Sequence, residues 1–389
     1  LEGGAWRRIY GTPVLAGPVH VAVAREEQDR GGILLRASHD GYARRFQVLI
    51  DGRSVYSPDF GQVSWRNLPL ALDDIDRIEV IRGPAGASYG ANAFMGVINI
   101  LTRSGDYGAR YVEAGLGDHG QRLLNARVSG GAGAFDWRLS AGTQLDDGLR
   151  HDMPDDVRER FADWKSELQL DARQALTLQA GVAHTRQETD FTPYNQHHGY
   201  ANLGWKFTQS ADSEFSAAYN LTEESFGDKP GIDLDYRTTR HNASAQWQGS
   251  VSSALRASLG AEYRRDSAQS DFYYSTPETI TEDSWRVYGN GEWTLDPQWL
   301  VNFGGMAEHT HTGDKQFSPR LTLNYKPSRH QSFRLEYNRA YRAPTFYELL
   351  AQNYYLDDGG TPDPTDDIVY QTLLADKLKS EQVTSRVLG

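Results

Sequence analysis

The sequence predicts a mainly β chain: an antiparallel transmembrane β-barrel preceded by a small mixed α/β domain. Three observations predict it. The composition joins low hydropathy to many aromatic residues: mean hydropathy is −0.63, with 21 Tyr, 9 Trp, 14 Phe and 38 Gly among 389 residues. In a barrel only alternate residues face lipid, so hydropathy stays low while aromatic side chains collect at the two membrane boundaries. From Gly108 onward, about fourteen segments alternate apolar and polar residues at the length of tilted spanning strands. Short polar turns then alternate with long loops, the asymmetry that separates a membrane barrel from a soluble sandwich of the same period.

Other classes are excluded by what the chain lacks. No run approaches the roughly 18 apolar residues of a membrane-spanning helix. The absence of cysteine removes disulfides, thiolate metal sites and a Cys nucleophile. A net charge of −12 is the wrong sign for a nucleic-acid partner. No G-x-S-x-G elbow or other catalytic triad motif is present, so no enzymatic activity is expected.

In chain order, residues 48–100 come first. Val48–Ile50 and Ile78–Ile81 are short β-branched runs, each leading into a turn signal, Asp51-Gly52 and Gly83-Pro84. A stretch spaced by Gly83, Gly86, Gly90 and Gly96 follows and closes on Val97–Ile100, predicting a compact strand-and-loop unit. In the second part, FDWRLSAGTQL places Phe135, Trp137, Leu139, Ala141 and Leu145 on one face and Asp136, Arg138, Ser140 and Gln144 on the other. LRASLGAEY, PRLTLNY and SFRLEYN repeat the pattern. Short turns fall near Gly130–Gly133, Asp171–Gln174, Gln209–Asp212, Gly249–Ser253, Asp296–Pro297 and Lys326–His330. Longer loops are expected at Asp146–Asp156, Glu188–His197, Phe226–Asp235, Ser267–Glu282 and Ala343–Lys379. Trp137, Trp205, Phe207, Trp247, Trp293, Trp299, Tyr325 and Phe333 flank the short turns, as an interfacial girdle would.

The wording of LDDIDRIEVIRGPAGASYGANAFMGVINI (residues 72–100) resembles the plug domain of TonB-dependent outer-membrane receptors. There an "IDG" strand, an "IERIEVIRGP" strand and a "YG.NA..GVINI" segment recur in this order. SPRLTLNYKPSRHQSFRLEYNRAYRAPTFYELLAQ (residues 318–352) and LKSEQVTSRVLG (residues 378–389) resemble two barrel motifs of the same family. The resemblance implies a plug over residues 1–106, matching poorly in 1–32 and without an evident TonB box, seated in the lumen of a barrel over residues 107–389. Plugged transporters have about 22 strands, so a C-terminally incomplete barrel of about fourteen is expected. It also implies a place in the outer membrane of a Gram-negative bacterium. A ferric siderophore would bind from outside, and TonB, with ExbB and ExbD, would transmit proton-motive force to the plug. Cobalamin, heme or another organic nutrient are alternative cargoes, and a passive porin or adhesin-like barrel is the alternative class.

Candidate residues follow from that reading. Tyr56, Phe60 and Trp65 lie beyond the Asp51-Gly52 turn, at the expected plug apex; Tyr194, Tyr347 and Tyr354 lie in or beside loops. Aromatic faces with a few Arg suit an anionic, aromatic metal chelate. Arg82 and Glu79 are candidates for a latch between plug and barrel; spaced by three in a strand, they point to opposite faces and would not pair with each other. No histidine occurs between Ala343 and Gly389, where heme receptors of the family place one. Gly115–Gly120 fits G-x-G-x-x-G, but alternating strands flank it, so it reads as a hairpin turn rather than a dinucleotide site. His197, His198, His309 and His311 lack a carboxylate at metal-ligand spacing and read as loop or lumen residues. No cofactor and no metal site is expected.

Overall fold

The computed structural model describes residues 45–90, 93–105, 109–118, 120–148, 155–188, 194–228, 235–274, 278–310, 314–351 and 378–389. It also gives the backbone of five outlying strands: β1 (Arg7–Tyr10), β2 (Pro18–Ala24) and β3 (Gly32–Leu34), which pair in that order, and β21 (Tyr354–Asp357) with β22 (Ile368–Gln371).

The plug is built on β4 (Phe46–Ile50), β5 (Arg53–Ser54), β6 (Ile75–Arg82) and β7 (Gly96–Thr102), in the spatial order β5-β4-β7-β6. The β4–β5 hairpin turns on Asp51 and Gly52, both at positive φ (49° and 81°). That is the two-residue turn an Asp-Gly pair favours, because its twist matches the strands. β4 and β7 run parallel while β6 and β7 run antiparallel. A one-turn helix α1 (Gly86–Tyr89) interrupts the glycine-spaced stretch. Val48, Ile50, Val55, Tyr56, Val63, Leu68, Ile75, Ile98 and Ile100 form a dry core, with Trp65, Leu70 and Ile78 packed against it.

Fourteen strands form one antiparallel sheet with β8 (Arg110–Leu116) and β23 (Glu381–Leu388) at its edges. Between them lie β9 (Arg122–Ala132), β10 (Phe135–Asp146), β11 (Val157–Gln169), β12 (Gln174–Gln187), β13 (Tyr194–Ser210), β14 (Ser213–Asp228) and β15 (Tyr236–Ser250). β16 (Leu255–Gln269), β17 (Ile280–Thr294), β18 (Trp299–His309), β19 (Lys315–Ser328) and β20 (Gln331–Arg342) complete it, and each strand pairs with the next in sequence until β20 pairs with β23. A helix α2 (Phe346–Leu350) lies in the β20–β23 connection. The sheet curves around the plug, touching it from Tyr111 on β8, which bonds Asp73, to Glu381 on β23, which reaches Arg45.

The polarity of the sheet is inverted relative to a soluble protein. On β10, Leu139 is exposed while Arg138 and Ser140 are each 1% exposed. Val112, Val182 and Leu203 are 70%, 61% and 52% exposed. Apolar side chains turned outward and charges buried inward are the alternation a lipid-facing barrel requires. Trp205 stacks with Phe207, Trp299 with Tyr325, and Tyr325 with Phe333, along the short-turn end.

Three loop expectations shift. Residues 194–197, 226–228, 267–269 and 280–282 lie in strands rather than loops, because their backbones continue the ladders among β12, β13, β14, β15, β16 and β17. Their polarity belongs to the upper ends of long strands. β8 and β9 pair as a hairpin, and Gly117 N–H bonds Gln121 O at its closed end, as the strand flanks of Gly115–Gly120 indicate. Among the described residues no helix is long and apolar enough to cross a membrane, which says nothing of strands.

Candidate functional site

The plug reaches the long-loop end of the sheet through residues 57–62. Ser57 N–H bonds Gln62 O and Gly61 N–H bonds Ser57 O, both at 3.0 Å, closing a loop that presents Phe60. The Phe60 ring lies 5.4 Å from Tyr236, 5.4 Å from Tyr273 and 4.9 Å from Tyr347. Tyr236 stacks on Phe226 at 5.4 Å, Phe226 meets Tyr194 at 4.8 Å, and Tyr273 meets Phe272 at 5.0 Å. Seven rings, from the plug, the ends of β13, β14 and β15, the segment after β16 and α2, thus form one continuous aromatic surface. α2 is fixed by a capping box in which Thr345 and Glu348 exchange hydrogen bonds. Its first turn donates to the apex: Tyr347 N–H bonds Asp59 O at 3.1 Å.

Beneath these rings sit charges. Asp59 is fully buried and neither carboxylate oxygen has a hydrogen-bond partner. Burial, and then the nearby Glu224, push its pKa up to about 8. Glu224, on β14, accepts from the plug residue Ser64 at 2.7 Å. A small polar cavity beside them is lined by the apex, by Arg240, Arg264 and Asp266 of the wall, and by Arg342 before α2. Arg240 forks onto Asp266 at 2.7 and 2.9 Å and also donates to Tyr56 O. Arg342 holds Glu348 and Glu381 together.

Further down, the plug is tied to the wall by named pairs. Asp51 accepts from Lys165 and Gln179, both at 3.1 Å, and from Thr102 within the plug. Arg127 bonds Asp74 at 2.9 Å, and Arg286 donates to Tyr89 O at 2.9 Å. Arg53, buried with its pKa lowered by burial, lies 3.8 Å over the Tyr200 ring. The two latch candidates lie elsewhere. Glu79 bonds Arg77 and Asn99 inside the plug, and Arg82 is exposed at the end of β6. β6 is the edge strand of the plug sheet, and the bonds of Glu79 stay within that sheet.

Of the ligand-site candidates, the structure brings Phe60, Tyr194 and Tyr347 into the aromatic surface. Tyr56 is only 4% exposed and belongs to the plug core, while Trp65 packs against that core. The side chain of Tyr354 lies outside the described residues. Tyr236, Phe226, Asp59 and Glu224 were not singled out from the sequence. Tyr236 and Phe226 flank a predicted loop, which is a usable signal; nothing local marks Asp59.

A model of the TonB-dependent receptor plug domain matches residues 14–97, and a model of the TonB-dependent receptor-like β-barrel matches residues 89–389. The chain belongs to the TonB-dependent receptor family. It is therefore an outer-membrane β-barrel protein, with the short turns on the periplasmic side and the long loops outside. As a family member it is 26% identical over 343 residues to the vitamin B12 transporter BtuB of Photobacterium profundum, covering 82% of this chain and 54% of that protein. It is 25% identical over 276 residues to the iron-regulated outer membrane virulence protein of Vibrio cholerae, covering 64% and 41%. The crystal structure of the siderophore receptor PirA from Pseudomonas aeruginosa superposes with a TM-score of 0.74 at 17% identity, covering 92% of this chain and 64% of that one. The chain spans about half the length of the curated relatives it matches.

Proposed function

We propose that this receptor binds an anionic, aromatic iron chelate of the siderophore type from outside and imports it using proton-motive force transmitted by TonB, ExbB and ExbD. One observation carries the reading: the aromatic surface in which Phe60 of the plug meets Tyr236, Tyr273 and Tyr347. Flat aromatic chelates stack on such rings, and Arg240, Arg264 and Arg342 beside the apex, each paired with a carboxylate, are guanidinium donors that an anionic ligand can share. Because Phe60 belongs to the plug, a ligand stacked there is sensed by the element that must move. The ligand shifts the plug only by its difference in affinity for the seated and displaced states. No bond is made or broken. Tyr56 and Trp65 remain part of the proposed ligand surface only through a plug rearrangement that exposes them, Tyr354 remains a candidate on its sequence position, and Glu79 and Arg82 act only through a rearranged latch.

The likeness to a vitamin B12 transporter favours cobalamin as the second reading. Uptake of radiolabelled iron chelates and of cobalamin into cells expressing the intact reading frame, with and without a protonophore, separates them. Uptake of a chelate that collapses with the proton gradient, and falls about tenfold in Phe60→Ala, is expected; ~1.4 kcal/mol of lost stacking suffices for that. Cobalamin uptake alone, or chelate uptake indifferent to the protonophore, overturns the proposal.

A further inference from the structure

The outward face of the sheet changes character at the outer end of β11–β13. Lower down, Ala162, Leu178, Val182, Ala201 and Leu203 face lipid, with Leu178, Val182 and Leu203 about half exposed or more. Above them the same face carries Arg158 and Arg160 on β11, His184 and Arg186 on β12, and His197 on β13. These residues are neighbours by register: Arg158 opposes Arg186, Arg160 opposes His184, and His184 opposes His197. The two imidazoles touch, with Nδ1 atoms 3.2 Å apart and ring centroids 4.4 Å apart.

The balance of charge here differs from that of the neighbouring strands. Arg237 pairs with Glu223 at 2.9 Å and Arg265 with Asp283 at 2.7 Å, so that part of the face is neutral. On β11–β13, Glu188 takes Arg186 and Asp156 stands 3.7 Å from Arg158. Arg160, His184 and His197 have no acidic partner among the described residues. The two imidazoles meet Nδ1 to Nδ1, so one Nδ1–H donates to the other and the pair needs no counter-charge; Arg160 is the charge of this group left without one, and an anion beside it would balance it.

The depth of the cluster says which anion. His197 lies ten residues before Phe207 on β13, which is roughly 33 Å along a strand. At a tilt of 35–45° that is roughly 25 Å of height, the thickness of the apolar band. Phe207 belongs to the aromatic girdle at the periplasmic boundary, so His197 and its neighbours stand at the outer headgroup level. They face away from the lumen, where cargo passes. We propose that Arg160, His184 and His197, flanked by Arg158 and Arg186, form a docking site for the phosphate of a lipid headgroup in the outer leaflet. A phosphate monoester accepts at once from a guanidinium fork and from an imidazole Nε2–H, the two Nδ1 atoms being engaged with each other.

The test is native mass spectrometry of the whole chain folded in dodecyl maltoside, titrated with lipid A, a glycolipid carrying two phosphates. Dephosphorylated lipid A and inorganic phosphate are the comparison probes. The expected result is retention of lipid A that weakens at least tenfold in R160A/H184A/H197A and changes less than twofold in R237A/R265A. Dephosphorylated lipid A should be retained no better than by the triple variant. Each variant is first shown to fold by its β-sheet circular dichroism. Should the triple variant fail to fold, R160Q decides, with at least a threefold loss expected and an unchanged affinity overturning the site. Equal retention of the dephosphorylated lipid overturns the proposal, because acyl chains alone would then explain binding. Displacement of lipid A by low-millimolar inorganic phosphate assigns the cluster to a free anion and overturns the lipid assignment.

Discussion

Asp59 shows how burial converts one side chain into a pH-dependent contact. Its carboxyl is buried, receives no donor, and lies near Glu224, so the protonated form is favoured up to about pH 8. When the apex is exposed, the same group titrates near its ordinary value of 3.8. Between those two values the seated apex keeps a proton that the exposed one releases. Seating therefore loses free energy as pH rises from about 4 to about 8, by at most ~1.4 kcal/mol per pH unit, and gains no further dependence above that. Hydrogen exchange of residues 55–63, corrected for intrinsic rates, should show protection falling from pH 5 to pH 8. Asp59→Asn should flatten most of that slope and raise protection at pH 8; an unchanged slope would show that Asp59 does not titrate in this window. None of this is legible in the sequence, where nothing local marks Asp59 or ties it to Glu224, 165 positions away. Phe60 was legible, because an aromatic residue after a turn signal stands out.

At the scale of elements, the strands announced themselves and α1 did not. Period-two alternation marks a strand whose two faces meet different solvents, which is why β10, β16, β19 and β20 follow the sequence pattern closely. Strand ends were less legible, since polar residues at the upper end of β13 look the same in a loop. A four-residue helix carries no periodicity, and its nucleation is unfavourable in isolation. α1 forms because the wall receives it. A Cβ added at Gly86 would stand 3.0 Å from the Ala340 Cβ, 3.1 Å from its Cα and 3.2 Å from Ser318 Oγ. Ala340 is fully buried and has no rotamer with which to yield. Gly86→Val should therefore lift α1 from β19 and β20 at a cost of ~1–3 kcal/mol, the usual penalty for overpacking. Limited proteolysis should cut the plug faster in this variant while the barrel strands stay intact. Equal cutting rates would mean that α1 is not held by this contact.

At the scale of the whole molecule, the sequence carries the inversion of polarity but not the pairing across the lumen. Asp51 and Lys165 are 114 residues apart, and nothing local in either strand names the other. The outward face, by contrast, depends only on depth in the bilayer, and its energetics follow from position alone. Leu203 lies four residues above Phe207 and six below His197 on β13, close to the middle of the apolar band. An arginine near the midplane of a transmembrane barrel costs ~2–4 kcal/mol, and near the boundary ~0–1 kcal/mol. Leu203→Arg should therefore destabilise folding into phosphatidylcholine vesicles by ~2–4 kcal/mol in a urea titration, while His197→Arg should change it by ~1 kcal/mol or less. The two positions share a strand and a face, so propensity and hydrogen bonding cancel in the comparison and only depth remains. Equal penalties would mean that β13 does not cross the apolar band between these residues. The height that places Arg160, His184 and His197 among headgroups would then fail together with it.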